Sequence, residues 1–129
     1  MIDETARREV VFYRTRAGRV PLLEWFTGLP HEARAKCQVR LERLEECGHR
    51  LRRPEAAYLK EGISELRAKH RGVNYRMLYF FHGTSAIVVT HGLVKQRAAV
   101  PEEEIALAIR RRAEFRTDPT RYSFPPDPR

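Results

Sequence analysis

Basic side chains are set into the apolar segments between residues 63 and 101. They are Arg67, Lys69, Arg71, Arg76 and Lys95. Few acidic residues lie among them, and tyrosine and histidine are interleaved with them. Arginine suits phosphate because its planar guanidinium donates to two oxygens at once. The region therefore predicts a surface that binds a phosphate-rich ligand.

Alternation along the predicted strands decides which of these cations share a face. Arg67 lies in phase with Glu65, and Lys95 lies in phase with His91 if its strand extends that far. An ordinary alternative stays open for each cation. Arg67 would pair with Glu65, Arg76 would face solvent on an amphipathic strand, and Lys95 would be a plain surface lysine.

The composition favours one basic domain without a membrane segment. The chain has 129 residues, 33% of them charged, and a formal net charge of +8. Such a domain favours anionic partners, nucleic acid foremost. The N-terminus lacks the apolar stretch of a secretory signal, and no segment has the ~20 apolar residues that cross a bilayer. Cys37 and Cys47 would lie roughly 15 Å apart on one helix, too far for a disulfide. We therefore expect a reduced, cytoplasmic protein with no metal site.

Hydrophobic periodicity and turn residues predict seven elements in the order β-α-α-β-β-β-α. The predicted strands are Glu9–Arg14, Ile63–Ala68, Val73–Phe81 and Ala86–Leu93. The predicted helices are Leu22–Thr27 after Pro21, a longer segment from Pro30 to Gly48, and a segment after Pro101. Turns as short as Arg71-Gly72 imply an antiparallel meander. We expect an α+β domain over residues 1–116, with helices packed on one face of a small antiparallel sheet. Residues 117–129, rich in proline, are expected to be extended or disordered.

Four short motifs occur in a fixed order along the chain. They are Glu65-Leu66-Arg67, Tyr75-Arg76, the segment from His91 through Lys95 to Pro101, and the helical pattern Pro101, Glu104, Ile105, Ala108. In this order and spacing the chain resembles the RelE/ParE superfamily of toxins from type II toxin-antitoxin systems, in its HigB-like, phage Gp49-like branch. The resemblance covers roughly residues 9 to 116 and implies a RelE-like fold.

The chain departs from this family pattern at three positions. Gln96 replaces the second lysine of a Lys-Lys pair, Arg97 replaces the following threonine, and Leu93 replaces a phenylalanine. Loss of one lysine would weaken catalysis or shift the charge to Arg97.

By resemblance, the protein is a ribosome-dependent mRNA endoribonuclease that inhibits translation without metal or cofactor. In this chemistry a ribose 2′-OH attacks the adjacent phosphate, and cations must face the phosphorus, where negative charge grows. The resemblance and the strand phases together give a catalytic set of Arg67, Arg76 and Lys95. The accompanying RNA-binding set is Lys60, Lys69, Arg71, Tyr75, His91 and Arg97. A lysine among other cations has a lowered pKa, so Lys95 is also a candidate base.

The partners implied are a helix-turn-helix antitoxin, the ribosome and mRNA, with operator DNA bound only through the antitoxin complex and no membrane. Two alternatives stay open: a ParE-type inhibitor of DNA gyrase, and a degenerate module that binds without cutting. The retained cations at positions 67, 76 and 95 favour the nuclease. Gln96, which replaces a lysine of the family pattern, is consistent with the degenerate module. For the nuclease, we expect alanine at position 67 or 76 to abolish growth arrest with the fold intact.

Overall fold

Six strands and three helices make up the part of the chain that this computed structural model describes, residues 8–95 and 99–124. The strands are β1 (Glu9–Tyr13), β2 (Ala56–Lys60), β3 (Ile63–His70), β4 (Val73–His82), β5 (Ala86–Lys95) and β6 (Ser123–Phe124). The helices are α1 (Pro21–Thr27), α2 (His31–Cys47) and α3 (Glu102–Thr117), and a single 3₁₀ turn, Gly48–Arg50, follows α2. The α+β class and all seven predicted elements are confirmed, and β2 and β6 are additional.

The strands form one sheet in the order β2-β3-β4-β5-β1-β6. Strands β2 to β5 pair antiparallel, which confirms the meander. The two-residue turn Arg71-Gly72 has positive φ at both positions, 50° and 81°. Turns of this kind suit the right-handed twist of a hairpin, and they set its register. That register places Arg67 directly opposite Arg76.

Two details of the predicted sheet are wrong. Strand β1 pairs with β5 in parallel rather than antiparallel fashion. The helices lie on both faces of the sheet rather than on one. Helices α1 and α2 cover one face through residues such as Met77 and Val89, and α3 covers the other through Leu78 and Val88. The physical reason is that the central strands are apolar at odd and even positions alike, so each face needs its own cover.

Part of the segment expected to form an extended or disordered tail packs against the domain. Tyr122 is buried in the apolar cluster beneath α3, and its ring stacks parallel to Tyr13 at 6.3 Å between centroids. Ser123 and Phe124 then pair with the free edge of β1. Residues 125–129 lie outside the described residues, and a domain boundary at residue 116 stays a prediction.

Gly92 allows α1 to approach β5 closely. A Cβ at this position would overlap the ring of Trp25, which belongs to α1. Gly92→Ala is therefore expected to lower the free energy of unfolding by about 1–3 kcal/mol, because the indole must move out of a packed site. Urea unfolding measures this loss. Gly28→Ala is the matched control, since its Cβ would meet only ordinary contacts; equal stability losses in the two variants would contradict the close approach.

Candidate phosphate-binding site

Three cations meet on the α3 face of the sheet, beyond the apolar cluster that α3 covers. Arg67 on β3 faces Arg76 on β4 across the hairpin. Lys95 is the last residue of β5 and pairs with Asn74, one in-phase position from Arg76. The cluster under α3 includes Ile63 and Leu78 and ends where these charged positions begin. The three side chains of the predicted catalytic set thus lie on one face of adjacent strands.

A bulge in β5 puts Lys95 on this face. The register between β4 and β5 shifts between Leu78 and Tyr79, so that Thr90 is the extra residue on β5. Before the shift Val89 faces α1 and α2, whereas after it His91 and the odd-numbered residues that follow face α3. A one-residue shift moves every following side chain to the opposite face. Without the bulge, Lys95 would point away from Arg76.

Glu65 holds both arginines. Its Oε2 accepts hydrogen bonds from Nε and Nη2 of Arg67 at 3.1 and 2.9 Å. Its Oε1 lies 2.9 Å from Nε of Arg76, but the N–H is not aligned for a hydrogen bond, so this contact is an ion pair. Arg76 also donates from Nη1 to the carbonyl of Tyr75 at 3.2 Å. A buried carboxylate compensated in this way fixes two guanidinium groups at once.

The cluster keeps a positive charge despite this carboxylate. Three cations less one carboxylate leave a net charge of +2. The side chain of Arg67 is 21% exposed, whereas those of Arg76 and Glu65 are 8% and 3% exposed. Thus the pairing of Arg67 with Glu65, left open by the sequence, is present. The solvent-facing alternative for Arg76 is wrong, because Glu65 and the strand hold it in the sheet.

The backbone of Arg67 is fixed from the edge strand and from the opposite face. Its N–H donates to the carbonyl of Glu55 at 2.8 Å. Nε of Arg40, which belongs to α2, donates to the carbonyl of Arg67 at 2.8 Å. Arg40 and Glu55 also form an ion pair at 3.1 Å. Side chains on a fixed backbone lose less entropy when they bind a ligand, so this arrangement favours a preorganised site.

Burial and neighbouring cations lower the pKa values of two side chains in the cluster, Lys95 and Arg76. Burial lowers the pKa of Lys95 from its ordinary value, and Arg76 and Arg67 lower it further. Burial also lowers the pKa of Arg76, against the opposing effect of Glu65. An arginine side chain stays charged in proteins. Of the two, only Lys95 can therefore lose its proton and act as a neutral amine. The direction agrees with the sequence expectation, although burial rather than neighbouring charge is the larger cause.

One residue of the predicted RNA-binding set joins the cluster. Lys69 follows Arg67 by two positions on β3, pairs with Asn74 and is exposed. It extends the positive face toward the end of the hairpin. Arg97 lies outside the described residues, and its proposed contribution stays a prediction.

Four other residues of that set do not join the cluster. Tyr75 is buried on the opposite face, where its ring meets Trp25 edge-on at 6.1 Å. His91 shares the α3 face but is buried, with Nε2 at 2.9 Å from Oε1 of Glu104 and Nδ1 at 3.0 Å from Oγ1 of Thr90. The remaining two are exposed at the ends of the sheet: Arg71 near Glu32 of α2, and Lys60 in an ion pair with Glu102. Tyr75 is excluded from the cluster by strand phase, and the side chains of His91, Arg71 and Lys60 are each paired with an acid elsewhere. Their part in RNA binding stays a prediction.

A family comparison gives the chain its identity. A model described as Phage derived protein Gp49-like (DUF891) matches residues 24–113, which is well over half of the chain. The chain belongs to the Gp49-like family. This family is part of the RelE/ParE-like toxin group, so the resemblance drawn from the four motifs is confirmed. No curated protein matches the chain.

Membership in the Gp49-like family describes a RelE-type, toxin-like protein in a group of toxin-type nucleases. A toxin of this kind implies an antitoxin partner. Glu65, Arg67, Arg76 and Lys95 all lie inside the matched residues, whereas β1 and β6 lie outside them. The candidate site is therefore built from the part of the chain that carries the family likeness.

Sequence reasoning missed Glu65 as a site residue. It identified this carboxylate only as an ordinary partner of Arg67, yet the acid holds Arg76 as well. The available signal was an acid two positions before Arg67, and therefore on the same side of the strand, beside the apolar Ile63 and Leu66. No helix in the described residues is long and apolar enough to cross a membrane. Nor do three His, Cys, Asp or Glu side chains among residues 8–95 and 99–124 lie close enough to hold a metal ion.

Proposed function

We propose that this Gp49-like protein is the HigB-like toxin of a type II toxin-antitoxin system and inhibits translation by cutting mRNA on the ribosome. The supporting observation is the convergence of Arg67, Arg76 and Lys95 on one open face, with Lys95 held among cations. The proposed partners are the ribosome with its message and a helix-turn-helix antitoxin, through which the complex would bind operator DNA.

The proposed reaction needs no group beyond these side chains and water. Neutral Lys95 removes the proton from a ribose 2′-OH, whose oxygen forms a bond to the adjacent phosphorus. The bond from phosphorus to the 5′ oxygen breaks, and that oxygen takes a proton from water. The products are a 2′,3′-cyclic phosphate and a 5′-hydroxyl end. Arg67 and Arg76 face the phosphoryl oxygens, where charge develops, and stabilise the transition state in a partly buried setting.

Glu65 and His91, which also lie near the site, are poor candidates for the base. The carboxylate of Glu65 is enclosed and bound by two guanidinium groups, so accepting a proton would leave a buried arginine without its partner. The ring of His91 has a partner at each nitrogen, and burial lowers its pKa. We therefore assign proton transfer to Lys95.

Cleavage mapping in a reconstituted translation system tests the proposed function. Purified protein is added to a defined message with and without ribosomes, and new 5′ ends are located by primer extension. Cuts at ribosomal A-site codons that require ribosomes would support the proposal. Intact message in the presence of folded protein would refute it. A parallel gyrase supercoiling assay then separates a ParE-type inhibitor from a module that only binds.

Lys95→Arg tests the assignment of the base. Arginine keeps the positive charge but cannot release its proton near neutral pH, so cleavage is expected to fall about 100-fold or more while RNA binding persists. The wild-type rate is expected to rise with pH through the lowered pKa of Lys95, because the neutral amine is the active form. Single-turnover rates on ribosomes across pH measure both effects. Lys69→Arg is the matched control, and equal activity of the two variants would exclude Lys95 as the base.

A further inference from the structure

A second positively charged concavity lies beside the edge strand β2, past the end of α2. It has a volume of about 720 Å³ and is bounded by the 3₁₀ turn, the edge strand β2 and the last turns of α3. Small-molecule sites usually measure about 300–1,000 Å³, so it has the size of a ligand site. Arg67, Arg76 and Lys95 do not line it. The residues that carry the argument are Arg52, Arg53, Arg112, Arg116, Tyr58 and Phe81.

Among the described lining residues of this cavity, the charged side chains are positive. Four arginines line it, and none of the described lining residues is aspartate or glutamate. A fifth arginine, Arg8, lies with its guanidinium 5.4 Å from the centre of the Phe81 ring. Arg112 is held in place because its Nη1 donates to the carbonyl of Glu61. Converging guanidinium groups with no acid among them favour an anion, and phosphate in particular.

The ring of Tyr58 is exposed and restrained at the rim of the cavity. Tyr58 is 65% exposed, although it belongs to a strand of the sheet. Its hydroxyl accepts a hydrogen bond from the backbone N–H of Gly62 at 2.9 Å, which restrains the ring while its faces remain accessible. Deeper in, the rings of His49 and Phe81 stack with centroids 3.6 Å apart. Restrained exposed aromatics beside arginines are the usual platform for unpaired bases.

We propose that this cavity binds an aromatic base together with its phosphate, the base stacked on Tyr58 and the phosphate held by Arg112 and Arg116. Either a free nucleotide or one residue of single-stranded RNA supplies this chemistry. An acidic peptide would satisfy the arginines but would give no role to the restrained ring, so the nucleotide is favoured. The proposal does not depend on mRNA cleavage, because Arg67, Arg76 and Lys95 do not line the cavity.

Fluorescence anisotropy without ribosomes tests this proposal. The probes are a labelled adenosine monophosphate and a labelled single-stranded hexaribonucleotide. Tyr58→Ala is expected to weaken binding about tenfold or more, since stacking on one aromatic side chain contributes about that factor. Tyr58→Phe keeps the ring but loses the hydrogen bond from Gly62, so it is expected to bind more tightly than Tyr58→Ala and no more tightly than the wild type. Arg116→Ala should weaken binding, whereas Arg110→Ala, with the same charge change on the same helix, should not.

The two probes separate the two sources of the ligand. Equal affinity for both would identify a free nucleotide, and much tighter binding of the hexaribonucleotide, lost in Tyr58→Ala, would identify an RNA strand. Arg67→Ala should leave mononucleotide binding intact, so failure of cleavage and failure of this site are distinguishable. The proposal is overturned if folded wild-type protein binds neither probe. It is equally overturned if Tyr58→Ala and Arg116→Ala bind the probes as well as the wild type does. Tighter binding of a labelled acidic peptide than of either nucleotide probe would also overturn it.

Discussion

Arg67→Ala is expected to lower ribosome-dependent cleavage by about 100- to 1,000-fold, the usual effect of removing one donor that faces developing negative charge. The protein should stay folded, because Arg76 remains beside the buried Glu65 carboxylate and the backbone bonds at position 67 are unaffected. Single-turnover cleavage on programmed ribosomes measures the rate, and growth arrest in cells gives a second readout.

Arg16→Ala is the control for this substitution. It removes the same charge from an exposed loop outside the sheet. A normal cleavage rate in soluble, folded Arg67→Ala would exclude Arg67 from the catalytic set. Loss of antitoxin binding together with activity would instead show that the substitution disturbs more than the site.

Arg76→Ala is expected to cost about 3–5 kcal/mol in the free energy of unfolding, because it removes one partner of a buried ion pair. We therefore keep the sequence-based expectation of an intact fold for the loss of Arg67 and revise it for the loss of Arg76. Both the carboxylate of Glu65 and the guanidinium of Arg76 are almost fully enclosed, and after the substitution only the partly exposed Arg67 would compensate the acid. Urea unfolding measures the loss.

A double substitution separates loss of the ion pair from loss of packing. Glu65→Met combined with Arg76→Met replaces the pair with apolar side chains of similar length, and it should recover most of the stability while remaining inactive. A single Arg76→Ala variant whose stability changes by less than about 0.5 kcal/mol would contradict the buried pair, since that is the range of surface substitutions.

Local sequence patterns were sufficient for several of the elements on which these two predictions depend. The stripe of Ala33, Cys37, Leu41 and Leu44 predicts α2 and its buried side, because helical spacing places those residues on one side of the helix. The Arg71-Gly72 turn likewise predicts the antiparallel pairing of β3 with β4, because so short a connection joins neighbouring strands. The family likeness follows from the order of such local motifs, and the Gp49-like match confirms it.

Other features depended on residues distant in sequence. The placement of α3 on the second face depended on packing between residues far apart in the chain, such as Val11 and Ile105, and the parallel pairing of β1 with β5 depended on such residues too. The cavity beside Tyr58 combines residues from the 3₁₀ turn, the edge strand and α3, so no spacing rule indicated it. Periodicity reports which residues are buried, but not what covers them.

The features of the candidate site are likewise of two kinds, those that local sequence predicts and those that distant residues determine. From the amino-acid sequence alone came the cations, their strands and the antiparallel hairpin of β3 and β4, because these follow from alternation and one short turn. Only the tertiary structure decided that Glu65 holds both arginines and that a bulge at Thr90 turns Lys95 toward them. Burial of a carboxylate and a one-residue shift between strands both arise from packing against the rest of the sheet, which local spacing does not determine.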